Sequence, residues 1–320
     1  MRIVSLLPSA TEIVCLLGLG EDLVGVTHEC DFPPEVARLP KVVRPAFESE
    51  GLSQEEIDRR VRSAMQTGTG VYVIDQDVLS SLAPDLIITQ ELCDVCAVPE
   101  ALAAEAVGRF LRRPRVLSLH PHSLSDVLLD IRRVGDAAGR PKAAEDRVAE
   151  LSMRLAGVKG LLRGNPRRPR VATLEWFDPV MVSGHWVVSM VRRAGGEELL
   201  GRDREPSVSV EWNEILEYAP EVLVLMACGF DVERNARDVR LVASRPGWDS
   251  LPAVRSGEIY AVHGGAYFNR PGPRVVDGVE ILAEILHPEV FPRREKPEDY
   301  RRLSVSGPSG PPPSEAPAPS

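Results

Sequence analysis

Seven short runs in this chain are apolar at most positions: residues 3–7, 23–27, 86–89, 116–119, 171–175, 222–226 and 259–262. A strand with one face in water alternates apolar and polar side chains. These runs do not alternate, so they are expected to be covered on both faces, as in parallel sheets sandwiched by helices. The segments between them carry helical signals. Ser9 and Thr11 can cap a helix through Ile13, Val14, Leu16 and Leu17 that Gly18 and Gly20 end. Ser53 with Glu56 makes a capping-box pattern ahead of Ile57 and Val61. Further helices are expected over 99–111 and 274–286, the last with Val275, Val279, Leu282 and Leu286 on one side.

The middle of the chain differs. Leu124, Val127, Leu128, Ile131 and Val134 form one helical stripe, closed by Gly139 and Pro141, and Val148, Leu151, Leu155, Val158 and Leu162 form a second. No strand interrupts them. A helix of about 20 residues spans about 30 Å, enough to bridge two domains, so 142–163 reads as a strut, with a coiled-coil seam as the weaker alternative. The expected fold is α/β, two Rossmann-like lobes with mainly parallel sheets joined by a long inter-lobe helix. An N-terminal lobe would occupy 1–122, a helical linker 123–166, and a C-terminal lobe 167–303. The tail over 304–320 has six prolines in 17 residues and is expected to be disordered.

Composition narrows the function. Of 320 residues, 43% are apolar and 27% charged, with a net charge of -9, and no basic stripe with interleaved aromatics is present. Nucleic acid is therefore not an expected partner. No run approaches the roughly 18 apolar residues of a membrane-spanning helix, and no leader-type apolar segment precedes residues 3–7. A cytoplasmic location is expected on that ground, periplasmic or extracellular only if the true N-terminus differs. An odd count of five cysteines in a reducing compartment points to core residues, metal ligands or redox groups rather than disulfides.

In open α/β sheets ligands bind beyond the carboxyl ends of the strands, and chemistry-bearing residues collect there. Pro8-Ser9-Ala10 follows the first run and opens a helix N-terminus suited to an anion or amide. His28-Glu29-Cys30-Asp31-Phe32 follows the second, Gln90-Glu91-Leu92-Cys93-Asp94-Val95-Cys96 the third, and Trp176-Phe177-Asp178 the fifth. Ala227-Cys228-Gly229-Phe230-Asp231 and His263 through Arg270 follow the last two. Only Cys15 lies inside a helical stripe, as a small buried residue. Aromatics are 5% of the chain, yet Phe32, Trp176, Phe177, Phe230, Tyr267 and Phe268 gather at these ends, as a cleft for a large flat ligand requires. Cys30, Cys93, Cys96 and Cys228, with His28, are candidates for a zinc or iron–sulfur site, or for an axial contact to a corrinoid cobalt, if the lobes bring them together. Cys93-x-x-Cys96 alone is a weak metal signal. His185 either packs beside Trp186 or faces the cleft, whereas Trp186 and Trp212 read as packing residues. No nucleophile elbow, phosphate-binding loop or zinc-protease helix is present, so catalysis is not expected, although Glu12, Glu29, Asp31, Glu91, Asp94, Glu175 and Asp178 lie near strand ends.

The segments Ser5-Leu6-Leu7-Pro8-Ser9-Ala10-Thr11-Glu12, Gly25-Val26 with Asp31-Phe32-Pro33-Pro34, and Leu82-Ala83-Pro84-Asp85-Leu86-Ile87-Ile88 carry a family resemblance. So do Val182-Ser183-Gly184, Ala194-Gly195-Gly196 and Tyr267-Phe268-Asn269-Arg270-Pro271-Gly272-Pro273-Arg274. Over residues 1–290 the chain resembles the class III substrate-binding proteins of ABC importers, vitamin B12 binders and their siderophore- and haem-binding cousins among them. The resemblance implies two lobes on a long helix with limited hinge motion, and a corrinoid (cobalamin-like) ligand lying flat in the cleft. Carried over by position, it implies Pro8, Ser9, Ala10, Phe32, Trp176, Phe177, Tyr267, Phe268 and Arg270 as contacts. It also implies an ABC permease as partner if the protein is exported. The insertion at about 46–76 is more than the minimal members of that class contain. A metal or iron–sulfur protein on the same scaffold, or an enzyme acting on a tetrapyrrole-like ligand, are the alternatives.

Overall fold

The computed structural model describes residues 1–67, 70–90, 100–108, 110, 113–293 and 296–304. Two six-stranded sheets organise the chain. The first contains β1 (Ile3–Ser5), β2 (Leu23–Thr27), β3 (Lys41–Pro45), β4 (Tyr72–Ile74), β5 (Leu86–Gln90) and β6 (Arg115–Leu119), in the order β4-β3-β2-β1-β5-β6. All its pairings are parallel except β3 with β4. The second contains β7 (Val171–Phe177), β8 (Val180–Val182), β9 (Val208–Ser209), β10 (Val222–Leu225), β11 (Ile259–Val262) and β12 (Tyr300–Arg302), in the order β12-β11-β10-β7-β8-β9. Its centre, β7-β10-β11, is parallel and its edges are antiparallel.

The apolar runs have the expected physical cause. Along β10, Val222 and Val224 enter one buried cluster while Leu223 and Leu225 enter another. Along β5, Leu86 and Ile88 face one cluster and Ile87 the other. Both faces of each sheet are covered, so alternation has no solvent side to mark.

Between the sheets lie the helices Leu124–Ala137 and Pro141–Leu161. The second begins on Pro141, whose missing N–H would be unsatisfied in a first turn anyway. Its buried stripe is Ala144, Val148, Leu151, Leu155 and Val158. These residues belong to a single cluster that runs from Ile3, Ile13 and Ile88 to Val187, Val224 and Leu282. The two lobes therefore share one core through the helical layer, which restricts how far they can move apart.

One local expectation is corrected. The first helix, Pro8–Leu16, starts a turn earlier than the Ser9 and Thr11 caps imply. Its N-cap position is Leu7, with no side-chain cap, and Ser9 and Thr11 are buried within the helix. Proline at the first helical position leaves no N–H of its own unsatisfied, and its fixed φ suits the first turn.

Candidate functional site

The β1, β2, β7, β10 and β11 ends face one another across the lobe boundary. At its centre the lobes touch. A Cβ placed on Gly272 would lie 3.3 Å from Ser9 Cα and 3.2 Å from Glu12 Oε2, so the Pro271–Arg274 turn rests on the first turn of the Pro8–Leu16 helix. A side chain there would be tighter than most van der Waals contacts, so glycine eases the close approach. Beside this contact two ion pairs cross the boundary. Arg274 donates to both Glu12 oxygens, at 2.6 and 3.0 Å. Arg270 donates to Asp31 at 2.6 Å and to the Glu29 carbonyl at 2.9 Å. Glu12 is almost fully buried. Burial pushes its carboxyl above the ordinary range, with the Arg274 bonds pulling the other way.

Rings frame the pairs. The Arg274 guanidinium lies 4.2 Å from the Phe32 centroid and 5.7 Å from that of Tyr267, within cation–π range. Phe32 is 43% exposed, an unusual state for a phenyl ring at a lobe boundary. Tyr267 is half-buried and its hydroxyl donates to Asp299 at 2.5 Å. Next to these residues is a cavity of about 370 Å³, bounded by Leu151 and Arg154 of the long helix and by Asp277 and Ile281. A second ring pair, Trp176 and Phe230, sits with centroids 5.4 Å apart, and Arg234 lies 4.5 Å over Phe230.

Other sequence candidates are placed differently. Pro8, Ser9 and Ala10 are buried beneath the lobe contact. Phe177 and Phe268 are wholly inside the lobe cores, so their rings do not line the cleft as expected. Phe177 sits within the second-lobe cluster, whereas Trp176, beyond a register shift in β7, is only half-buried against the edge of that same cluster. The Phe268 carbonyl accepts from the Trp186 indole at 2.7 Å, which fixes the segment with its ring turned in. His28 has Nδ1 3.2 Å from the Val43 carbonyl and its ring 6.1 Å from Tyr72, turned toward β3 and β4. His185 is half-buried, stacked on Trp186 and 5.9 Å from His122; burial, then His122, lower its pKa to about 4.

The cysteines do not assemble a metal centre among the described residues, where no group of three or more His, Cys, Asp or Glu is arranged to hold one. Cys93 and Cys96 lie outside the described residues. Cys30 is buried and its Sγ is 3.1 Å from the Thr11 hydroxyl and 3.3 Å from that of Thr27. Burial raises its pKa despite those bonds, which disfavours the reactive thiolate. Cys228 is exposed. In native protein, an alkylating reagent followed by peptide mapping is expected to modify Cys228 and spare Cys30 until denaturant is added. Modification of native Cys30 at a similar rate would contradict this placement.

Glu12, Asp31 and Arg274 carry the geometry of the site. The two acids are visible in sequence only as carboxylates near strand ends, and Arg274 only as the last residue of a motif. Gln54, described below, gives no sequence signal at all.

Two α/β lobes on a shared helical core, closing over a ring-lined boundary, define a substrate-binding protein of the class III type. The sequence matches the family described as "Periplasmic binding protein" over residues 3–265, and the chain belongs to that family. An ABC transporter substrate-binding lipoprotein of Bacillus subtilis is 24% identical over 294 residues, covering 91% of this chain and 81% of its own length. A vitamin B12-binding protein of Vibrio cholerae is 24% identical over 292 residues, covering 89% and 88%. The ligand-free periplasmic heme-binding protein of Roseiflexus sp. RS-1 superposes with a TM-score of 0.66 at 25% identity, covering 90% of this chain and 98% of its own.

These findings overturn the cytoplasmic placement. The family is a periplasmic one and the relatives are a lipoprotein and a periplasmic protein, which implies an extracytoplasmic location. Residues 3–7, of which Ile3–Ser5 form strand β1, carry no evidence on location. Among the described residues no helix is long and apolar enough to cross a membrane.

Proposed function

We propose that the protein captures a corrinoid in the inter-lobe cleft and delivers it to the permease of an ABC importer. The observation that carries the ligand class is the charge balance of the cleft. Arg270 and Arg274, the guanidiniums at its centre, already face Asp31 and Glu12 of the opposite lobe. A ligand bringing its own carboxylates, such as a porphyrin with two propionates, would enter beside those acids and be repelled. A corrin edge bearing neutral amides would meet paired charges and rings without that penalty. Phe32, Trp176 and Tyr267 offer half-buried or exposed ring surface for it, and Pro8, Ser9 and Ala10 would join as contacts once the lobes part. The Vibrio cholerae relative named as a vitamin B12-binding protein supports the same reading.

Titration with aquocobalamin tests it, followed by the corrin absorption bands. A saturable one-to-one change is expected, and Phe32→Ala should weaken binding about tenfold through loss of a stacking surface. Hemin should bind more weakly than the corrinoid. A saturable hemin response with no corrin response would reject the proposal.

A further inference from the structure

Residues 46–67 leave the first lobe between β3 and β4 and reach the second. Their helix, Gln54–Thr67, is poorly packed; Gln54 is its only buried residue. Its charges pair along its own surface, Arg59 and Arg60 with Glu56, and Arg62 with Asp58. What holds its start is on the other lobe. Gln54 is 0% exposed. Its Oε1 accepts from the Phe177 N–H at 2.8 Å and its Nε2 donates to Asp238 at 3.2 Å. Two residues earlier the Leu52 carbonyl accepts from Arg234 Nη2 at 2.6 Å, and Arg234 Nε donates to the same Asp238 oxygen at 2.7 Å. Arg234 is the residue that lies over Phe230, next to Trp176.

We propose that residues 46–67 form a latch across the mouth of the cleft, fastened by Gln54 and released to admit or discharge ligand. A side-chain amide suits this role. It satisfies one donor and one acceptor of the second lobe without a charge, so it can leave and return without stranding an ion in a buried site. The helix behind it, held by little else in the core, can swing with it. Closure of the Trp176–Phe230 end by the latch is independent of the Arg270 and Arg274 pairs at the centre.

The test has a ligand-free arm and a ligand arm, and only the second rests on the corrinoid reading. Gln54→Glu keeps the acceptor for Phe177 N–H but sets a carboxylate against Asp238. Amide hydrogen exchange at Phe177 and over residues 50–67 of the ligand-free protein should accelerate about tenfold or more. Gln54→Ala, which adds no charge, should do the same. In Gln54→Glu with Asp238→Asn the new amide can donate to the new carboxylate, and protection should return. Aquocobalamin release should follow the same order. Unchanged exchange in both single variants, or no recovery in the double variant, overturns the latch. Exchange effects in a protein that shows no corrin response would leave the latch standing and remove the corrinoid.

Discussion

Replacing Arg274 by alanine is expected to destabilise the protein by about 3–5 kcal/mol at about pH 8, since it strands a buried carboxylate. The deficit should shrink as the pH falls. Glu12 is 3% exposed at its side chain and Arg274 14%, so the pair is shielded from screening. Burial already raises the Glu12 carboxyl with Arg274 present, and without the guanidinium it rises further. A carboxyl whose folded pKa exceeds its unfolded value of 4.5 stabilises the fold most when protonated in both states, below that value. That contribution is lost as the pH rises through the folded pKa. The variant should therefore approach the native protein in urea stability near about pH 4–5 and diverge from it above. A deficit independent of pH would mean that Glu12 is hydrated by lobe separation instead, and no deficit would mean that the pair contributes nothing.

The other large effect is expected at Gly201. A Cβ there would fall on the Ser183 carbonyl oxygen, far inside van der Waals contact, with Val188 Cγ2 at 3.1 Å on another side. Neither neighbour is the free end of a long side chain. Gly201→Ala must move backbone, at a cost of about 3 kcal/mol or more, read as a fall in thermal midpoint of roughly 5 °C or more. A midpoint within about 2 °C of the parent would show that this loop yields.

The same crowding gives physical content to motifs that sequence marks only as resemblance. In Val182-Ser183-Gly184 the glycine has the backbone of Pro206 and Ser207 at 2.6 Å from where a Cβ would stand. In Ala194-Gly195-Gly196 the first glycine has φ +86, and a Cβ on the second would stand 2.9 Å from Leu286, Val171 and Val191. Legibility followed the physics of each element. Runs buried on both faces, such as 222–226 and 259–262, announce themselves, and so does the long helix, expected over 142–163 and observed as Pro141–Leu161. The strands β8, β9 and β12 were not visible: Val180–Val182 has three residues, Val208–Ser209 two, and Tyr300–Arg302 is mostly polar. Their pairing is decided by the neighbouring strand rather than by their own composition.

The candidate site was legible at the level of loops and not of side chains. Position beyond a strand end located the segments around Asp31, Trp176 and Arg270. It did not say which way a ring turns, so Phe177 and Phe268 were grouped with Trp176 and Tyr267. Nor did it reveal that the charged groups of the two lobes satisfy each other, because Glu12 and Arg274 are 262 residues apart. Gln54 could not be found this way, since its partners Phe177 and Asp238 lie 123 and 184 residues downstream.

The contact of Gly272 with Ser9 has a thermodynamic consequence. A flat ring such as the corrinoid proposed above cannot lie between surfaces that already touch, so its capture requires a more open conformer. Apparent affinity is then the intrinsic affinity scaled by the fraction of molecules standing open. Each further 1.4 kcal/mol by which the crossing ion pairs favour closure lowers that apparent affinity about tenfold. Strengthening the Asp31–Arg270 or Glu12–Arg274 pair would make a more stable protein and a weaker binder. Capture can thus be tuned at these two pairs through the balance of closed and open molecules as well as through direct contact with the ligand.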